Sequence, residues 1–434
     1  MLRSALALSL IVVCLSPSPA AAKPADPRDH PLALELGEHF VLRPSLQYRA
    51  RFLAHGGRNF ADGNSYDAVM QRARLGLRVD MFGWATAFVQ VQDVRSWGEE
   101  TSTVDFIANG LDVHQAYAEV RCPKGLLLRI GRQEIILDGQ RLVGNLDWLD
   151  QARSFDGVLL QGAGAGFVGR AFWFRLREED PTPFGAAAQD PAEVTTQDFF
   201  GLHVRYGKLA WLRPSLLGLF DTDSRTRRRR ATFGLYADGQ PAKGLRYWFE
   251  LYGQVGTSGR DAAKQDLRAF LVAVRAQYTL PVWGKPTLAG WFEQVSGDGD
   301  RTDNINNSFD TLFATNHKFY GFADYFLNIP ANTAGFGLID IGGRFSLRPR
   351  RWLKLLVDLH HFRYAKRYTL DGESLLILGH ELDAVLVFPI NKVINVQGGF
   401  AAFLPRRGVT CLHGGCRSDA PAEYWGYLMA GVTL

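Results

Sequence analysis

Polar and apolar residues alternate along many segments of this chain. Between Phe40 and Phe52, apolar side chains occupy one parity and polar side chains occupy the other. The apolar set is Leu42, Leu46, Tyr48, Ala50 and Phe52, and the polar set is Arg43, Ser45, Gln47, Arg49 and Arg51. A period of two places successive side chains on opposite faces of a β-strand. The segment therefore predicts a strand with one apolar face and one strongly basic face.

The same alternation recurs along the chain, at residues 71–82, 85–92 and 246–255 among others. In the first of these, the polar parity holds Arg72, Arg74, Arg78 and Asp80. Counting such runs between turn signals gives about eighteen strands of roughly ten residues, the length that spans a bilayer at barrel tilt; sixteen also fits. We therefore predict an all-β fold, a single-domain transmembrane antiparallel up-and-down β-barrel. Residues 95–110, 180–197 and 297–316 are expected to be its extracellular loops.

The N-terminal segment has the features of a secretory signal peptide. Arg3 precedes an apolar stretch over residues 5–15, and three alanines at 20–22 precede Lys23. No later apolar run reaches the roughly 18 residues of a membrane-spanning helix, so a membrane location requires a closed barrel. We expect residues 1–22 to be the signal peptide, 23–38 a periplasmic segment and 39–434 the barrel. The expected location is the outer membrane of a Gram-negative bacterium.

The direction in which the arginines point follows from the cost of burying charge in lipid. An arginine on the lipid face near the bilayer midplane costs roughly 2–4 kcal/mol. We therefore assign the arginine-bearing parity to the lumen, where basic side chains favour anionic solutes. The lumen arginines predicted from alternation are Arg43, Arg49, Arg51, Arg72, Arg74, Arg78 and Arg246. Acidic residues expected beside them, as pairing partners in the wall, are Asp80, Glu119, Glu250, Glu293, Asp358, Glu381 and Asp383.

No sequence motif supports catalysis. Neither a Gly-x-Ser-x-Gly elbow nor a His-Glu-x-x-His zinc helix occurs. Gly164-x-Gly166-x-x-Gly169 matches a dinucleotide fingerprint by letters, but its flanks read as strands, so it predicts a hairpin turn. We expect no enzyme activity; the remote alternative is a barrel-embedded outer-membrane enzyme with a Ser-His pair. Secretion and a net charge of only +5 disfavour nucleic-acid binding.

Few residues suggest a bound ion or a cross-link. Asp298, Asp300 and Asp303 either hold calcium, which prefers several oxygen ligands, or form a solvated acidic loop. No other cofactor is expected. Cys411 and Cys416 either form a disulfide or remain separate thiols, because spacing does not fix geometry.

Adjacent histidines occur within one predicted strand. His360 and His361 point to opposite faces of that strand and so do not readily share one metal ion. We expect one of them in the lumen and the other at the lipid interface.

Three segments carry longer motifs. The first comprises Arg129–Gln133, Gly139–Gly144, Asp147–Trp148 and Arg153–Val158; the second comprises Ser296–Asp298, Phe309–Gly321 and Asp324; the third is Leu378–Asp383. In these motifs the chain resembles the alginate export family of outer-membrane barrels. Within them stand Gly131, Gln133, Arg141, Asp156, Asp298, His317, Lys318, Tyr320, Asp324, Glu381 and Asp383.

The resemblance implies an eighteen-stranded monomeric barrel whose basic lumen passes a polyuronate chain outward. It adds Arg129 and Arg153, which lie within the motifs, to the expected lumen arginines. We therefore expect an anion-selective channel that exports an acidic polysaccharide such as alginate, surrounded by outer-membrane lipids and served by periplasmic export partners. The alternative is a general or small-anion uptake porin, because relatives that share these motifs differ in cargo.

Overall fold

The computed structural model of the protein describes residues 32–60, 63–98, 110–122, 125–179, 195–370, 372–413 and 415–434. The expected signal peptide, 1–22, lies outside these ranges, as does 23–31 of the expected periplasmic segment. Within 32–38, the short strand β1 (Leu34–Leu36) pairs with the first barrel strand.

Eighteen strands form a closed antiparallel barrel, in which each strand pairs with its neighbours in sequence and the last strand pairs with the first. Their bounds are β2 (Phe40–Gly56), β3 (Tyr66–Met81), β4 (Ala85–Ser96), β5 (Leu111–Cys122), β6 (Leu126–Gln133), β7 (Phe155–Gly164), β8 (Phe167–Glu179), β9 (Thr195–Tyr206), β10 (Arg213–Asp223), β11 (Arg228–Ala242), β12 (Leu245–Ser258), β13 (Gln265–Thr279), β14 (Thr287–Val295), β16 (Leu338–Arg350), β17 (Leu353–Leu370), β18 (Glu373–Pro389), β19 (Ile394–Pro405) and β20 (Glu423–Thr433). A two-residue strand, β15 (Ile305–Asn306), lies in the connection between β14 and β16. The predicted barrel and the count of eighteen are confirmed, and the count of sixteen is wrong.

Most connections are short at one end of the barrel, and the longest described ones lie at the other end. At one end, which we call the short-turn end, the joins include residues 82–84, 165–166 and 243–244. The predicted hairpin at Gly164–Gly169 is one of these turns. At the other end, the long-loop end, lie the connections 134–154, 296–337 and 406–422. The last of these contains the helix Arg407–His413 and a disulfide between Cys411 and Cys416.

The two faces of the wall differ as the alternation predicts. On the outer face, Leu75 is 59% exposed and Val89 is 49% exposed. On the inner face of the same strands, Arg74 and Gln92 are each 4% exposed. Such a surface is stable only where lipid covers its apolar band, since exposed apolar patches of this extent are rare in soluble proteins. Among the described residues, no helix has the length and hydropathy needed to cross a membrane.

The hydrophobic core lies inside the barrel, where two long connections fold. We call residues 134–154 the first inner loop and residues 296–337 the second inner loop. Leu142 and Val143 of the first pack with Phe309 and Phe319 of the second in one buried cluster with wall residues. The expectation that residues 297–316 form an extracellular loop is therefore wrong for their later part. Of the other two expected loops, most residues lie outside the described ranges, with β4 running on to Ser96 and β9 beginning at Thr195.

Candidate functional site

Four arginines on two adjacent strands form a basic strip, which we call the arginine ladder: Arg49, Arg51, Arg72 and Arg74. They cluster because residues two apart share a face and because Arg49 stands opposite Arg72 in the register of β2 and β3. All four are buried on the inner face. The structure thus places these four predicted lumen arginines side by side.

The ladder binds the first inner loop. Arg49 and Arg51 hold the two oxygens of Asp150 at 2.6 and 2.5 Å. Arg72 and Arg74 approach Oδ1 of Asp147 at 2.9 and 3.3 Å. Four guanidinium groups therefore face two close carboxylates, with Glu134 more distant, at 3.8 Å from Arg74. Positive charge remains in excess along this wall.

The remaining predicted arginines are mostly paired within the wall. Arg43 and Arg78 bind Asp80, and Arg129 binds Glu119 at 2.7 Å. Because carboxylates of the same barrel neutralise their charges, the main role of these side chains is to stabilise the wall. Arg246 differs: it lies exposed near the start of β12, at the short-turn end.

Arg153 closes the first inner loop instead of lining the wall. Its Nη1 donates hydrogen bonds to the carbonyls of Phe313 and Gly144. No carboxylate of the described residues lies within 4.0 Å of this guanidinium. Burial lowers the pKa of Arg153 to about 10. This arginine therefore joins the two inner loops to each other.

A buried ion pair anchors the first inner loop to the opposite wall. Arg141 donates two hydrogen bonds to the Glu293 carboxylate, each 2.8 Å long, and lies 3.4 Å from Glu250. Its guanidinium stacks 3.6 Å from the ring centre of Phe319 in the second inner loop. Bidentate arginine–carboxylate pairs are geometrically specific, so this contact fixes where the loop crosses the lumen. We call it the Arg141 clamp.

The inner loops are also hydrogen-bonded to each other. Gly144 donates to the carbonyl of Phe313 at 3.0 Å, and Phe313 donates to that of Leu142 at 2.9 Å. Trp148 of the first loop stacks on His317 of the second, with ring centres 4.0 Å apart. The two loops thus behave as one partition that sits between the ladder and the remaining wall.

Other motif residues position this partition. His317 Nδ1 lies 2.6 Å from Asp324, Lys318 donates to the carbonyl of Gly139 at 3.0 Å, and Tyr320 is buried beside Arg141. Glu381 on β18 accepts a hydrogen bond from the amide of Ala323 at 2.7 Å.

Three motif residues shape the base of the first inner loop. Gly131 has φ of +126°, and a Cβ there would lie 2.2 Å from the carbonyl oxygen of Ala116. Gln133 is buried and donates to the carbonyl of Gly131, while Asp156 pairs with Arg132 at 2.9 Å. These contacts explain why glycine and a buried amide stand where β6 gives way to the loop.

A cavity lies on each side of the partition. Toward the long-loop end, a cavity of about 580 Å³ is lined by residues that include Gln92, His114 and Arg132. Toward the short-turn end, one of about 270 Å³ is lined by Arg141, Arg275, Lys318 and Arg344 with Glu250 and Glu293. Burial lowers the pKa of Lys318, and Arg141 lowers it further. The cavity toward the short-turn end is the basic one of the two, because Arg132 in the other is paired with Asp156 and Asp112.

One histidine contacts both a carboxylate and a serine, as a catalytic histidine would. His114 lies between Glu134, at 2.6 Å from Nε2, and Ser154, at 3.2 Å from Nδ1. Ser154 Oγ, however, donates to the carbonyl oxygen of His114 at 2.5 Å, so its proton is not directed at the imidazole. A nucleophilic serine needs its base to accept that proton. These three residues are inside the barrel and not on its outer face.

The acidic loop considered for calcium satisfies its carboxylates locally. Asp298 and Asp300 accept backbone hydrogen bonds from Asp300 and Thr302, and Asp303 accepts one from Ile305. Asp298 is buried, and its amide donates to the carbonyl of Gly335. Calcium at these residues stays a prediction.

Sequence reasoning missed the acidic partners of the ladder, Asp147 and Asp150. The available signal was the loss of alternation between residues 134 and 154, where a motif-rich stretch interrupts the strand pattern.

Comparison with known proteins places the chain in a family. The model of the family described as "Alginate export" matches residues 41–369. No curated protein sequence matches the chain. Among solved structures, three Pseudomonas aeruginosa proteins are similar in fold: OpdK with vanillate (TM-score 0.56, 13% identity, 91% of this chain and 98% of that chain), OccD3 or OpdP (0.58, 13%, 91% and 91%) and OccK8 or OprE (0.59, 12%, 91% and 98%). The family match covers most of the barrel and includes the arginine ladder and both inner loops, and on this evidence the chain belongs to the alginate export family.

Proposed function

We propose that this protein is an anion-selective outer-membrane channel that conducts an acidic polysaccharide, such as alginate, or a related polyuronate. The observation that carries the proposal is the arginine ladder, in which four guanidinium groups face two close loop carboxylates. Family membership supports a channel of this class. The short-turn end would face the periplasm, and lipid would cover the outer face.

The mechanism is passive and electrostatic. A carboxylate of the solute competes with Asp147 for the guanidinium groups of Arg72 and Arg74, which already share that one oxygen. Because each exchange replaces one ion pair by another, the solute is held weakly at several points and can leave again. The excess charge lowers the energy of anions in the lumen and raises that of cations. Periplasmic partner proteins would deliver the polymer, and a monomer suffices for this path.

The cavity at the short-turn end is a basic surface on the periplasmic side of the partition in this proposal. Arg275 lies against the Trp291 ring, 4.3 Å from its centre, and no carboxylate of the described residues lies within 4.0 Å of it. Its positive charge is therefore available to a solute. In this proposal Arg275 and Lys318 make the initial contacts with the uronate carboxylates.

Arg275→Gln is therefore expected to weaken block by oligouronate added on the periplasmic side by about threefold, the effect of one screened charge. The measurement is the concentration dependence of single-channel block in planar bilayers. Arg268→Gln is the matched control, because Arg268 is on the same strand but exposed on the outer face. Equal block of the two variants would contradict the contact assigned to Arg275, and a wild-type channel that oligouronate does not block would show that the proposed cargo is wrong.

A second function, uptake of small aromatic acids, is favoured by the Trp148–His317 stack. Trp148 also lies 4.6 Å from the guanidinium of Arg51, so an aromatic surface and a cation stand side by side. An aromatic acid would stack its ring on the tryptophan and place its carboxylate beside the guanidinium. A structural relative, OpdK, is described with vanillate, an aromatic acid.

Trp148→Ala is expected to weaken vanillate block of the channel if the second function holds, while Trp211→Ala, which changes an exposed tryptophan outside the lumen, leaves it unchanged. A stacking contact of this kind is worth about 1 kcal/mol, or roughly fivefold in affinity. Block by oligouronate but not by vanillate in the wild-type channel would reject the uptake function and favour polysaccharide export.

A further inference from the structure

A cluster of buried acidic residues surrounds His360 on the inner face of β16, β17 and β18. It contains Asp340, Asp358, Glu381 and Asp383. Atoms of Asp358, His360 and Asp383 that are able to bind a metal lie within 4.8 Å of one another. These residues converge because Asp358 and His360 alternate on β17, while Asp358 stands opposite Asp383 in the register of β17 and β18. His361 points to the other face, where its Nδ1 lies 3.3 Å from Nδ1 of His380.

The cluster carries more negative charge than its cationic partners balance. Arg344 holds Asp358 through two hydrogen bonds, of 2.6 and 2.5 Å. Neither oxygen of Asp383, which is 1% exposed, accepts a hydrogen bond from an N–H or hydroxyl group of the described residues, and its side-chain partner is the carboxyl of Glu381. Buried carboxylates are ordinarily paired, protonated or bound to a metal, because an isolated buried charge is very costly. These two adjacent buried carboxyls are therefore neutralised by a shared proton, by His360 as an imidazolium, or by a bound cation.

The hydrogen bonds of His360 direct a lone pair toward Asp383. Asp340 Oδ2 accepts from the Trp291 indole at 2.7 Å and lies 2.9 Å from His360 Nδ1. An ionised carboxylate only accepts hydrogen bonds, so Nδ1 carries the proton. In the neutral ring, Nε2 then has a lone pair with which it is able to bind a metal ion. Metal-binding histidines are oriented in this way, with the second ring nitrogen hydrogen-bonded to a carboxylate.

The spacing also suits a small metal ion. His360 Nε2 lies 3.6 Å from Asp383 Oδ2. In a tetrahedral zinc site with bonds of about 2.0–2.2 Å, neighbouring ligand atoms are about 3.3–3.6 Å apart. The pair is therefore already near its bound separation, and Asp358 completes three protein ligands.

We propose that Asp358, His360 and Asp383 bind a divalent transition-metal ion of the zinc class, with Asp340 positioning His360. Two carboxylates and an imidazole favour zinc over calcium or magnesium, which prefer all-oxygen ligand sets. The ion ties β17 to β18 beside Glu381, the residue that holds the second inner loop through Ala323. The site thus stabilises the wall on which the partition rests, and it is independent of which solute the channel conducts.

The test is zinc binding by the refolded full-length barrel. Protein stripped with EDTA is titrated with zinc chloride and with calcium chloride, and bound metal is counted by mass spectrometry after dialysis. We expect the wild type to retain a single zinc ion in preference to calcium and to melt at a higher temperature when zinc is bound. Wild-type protein that retains no zinc, or that takes up calcium equally well, overturns the proposal and leaves protonation or an imidazolium as the means of neutralisation.

Zinc binding by substituted proteins tests whether these residues hold the ion. His360→Gln and Asp383→Asn are expected to lose zinc binding, and Asp340→Asn to weaken it by roughly 10–100-fold, the usual effect of losing a carboxylate that orients a ligand. His361→Gln is the matched control, since it changes the neighbouring histidine on the opposite face. Heat-modifiable migration on gels verifies that each variant is folded. Equal zinc binding by folded His360→Gln and His361→Gln proteins rejects the site; if His360→Gln does not fold, the wild-type titration decides alone.

Discussion

Replacing Arg72 and Arg74 together with glutamine is expected to lower the anion-over-cation permeability ratio of the channel by roughly 60-fold. A unit charge about 10 Å from the ion path contributes ~1.7 kcal/mol at an effective dielectric constant of 20, and screening over one Debye length reduces this to ~0.6 kcal/mol. Because each charge favours the anion and disfavours the cation by this amount, it changes the ratio about eightfold. Their removal leaves two guanidinium groups, those of Arg49 and Arg51, facing the two close carboxylates, so the local excess of positive charge is abolished. The measurement is the reversal potential in planar bilayers under a salt gradient.

The control for this variant removes a charge elsewhere. Arg229→Gln changes an exposed arginine at the long-loop end of β11, on the outward parity shared with Phe233. We expect its permeability ratio to match that of the wild type. A double variant that keeps the wild-type ratio, or a control that shifts it equally, would show that the ladder does not set selectivity.

Arg141→Met is expected to lower the free energy of unfolding by roughly 3–5 kcal/mol, the usual effect of removing one partner from a buried ion pair. The loss arises because Glu293 and Glu250 remain buried beside the site without their cation. Release of the first inner loop should also raise single-channel conductance and its noise, since the partition then lacks its anchor. Denaturant unfolding in detergent and single-channel recording measure the two effects.

A second substitution separates the charge effect from the packing effect. In Arg141→Met/Glu293→Met one of the two unpaired carboxylates is gone while Glu250 remains, and we expect part of the lost stability to return. Arg132→Met removes an exposed arginine paired with Asp156 and should change stability by less than about 1 kcal/mol. Unchanged stability and conductance in Arg141→Met would contradict the role given to the clamp.

The barrel itself was predictable because alternation is a local property. A strand with Arg49 and Arg51 on one parity and Tyr48 and Phe52 on the other has only one arrangement that keeps charge out of lipid. Repetition of that pattern gave the number of strands, and the alternation also placed His360 and His361 on opposite faces. The resemblance to the family rested on segments that the structure places in the inner loops and in the wall that holds them.

The interior of the channel was not predictable in the same way. The wall pairs, such as Arg129 with Glu119, join residues of predicted strands, but the ladder arginines pair with carboxylates about a hundred residues away, as for Arg49 and Asp150, and no pattern of period two encodes such contacts. The first inner loop was overlooked because it has no strand or helix periodicity of its own. Likewise, Asp340, His360 and Asp383 meet only through the register of neighbouring strands. Their separate positions in the sequence give no sign of a shared site.

The most direct test of the central claim is the reversal potential of the wild-type channel, reconstituted in a planar bilayer between two concentrations of potassium chloride. We predict a potential whose sign shows that chloride permeates more readily than potassium, as an excess of ladder charge requires. A potential of the opposite sign, showing that potassium is preferred, would contradict the proposal that the arginine ladder makes this barrel an anion channel.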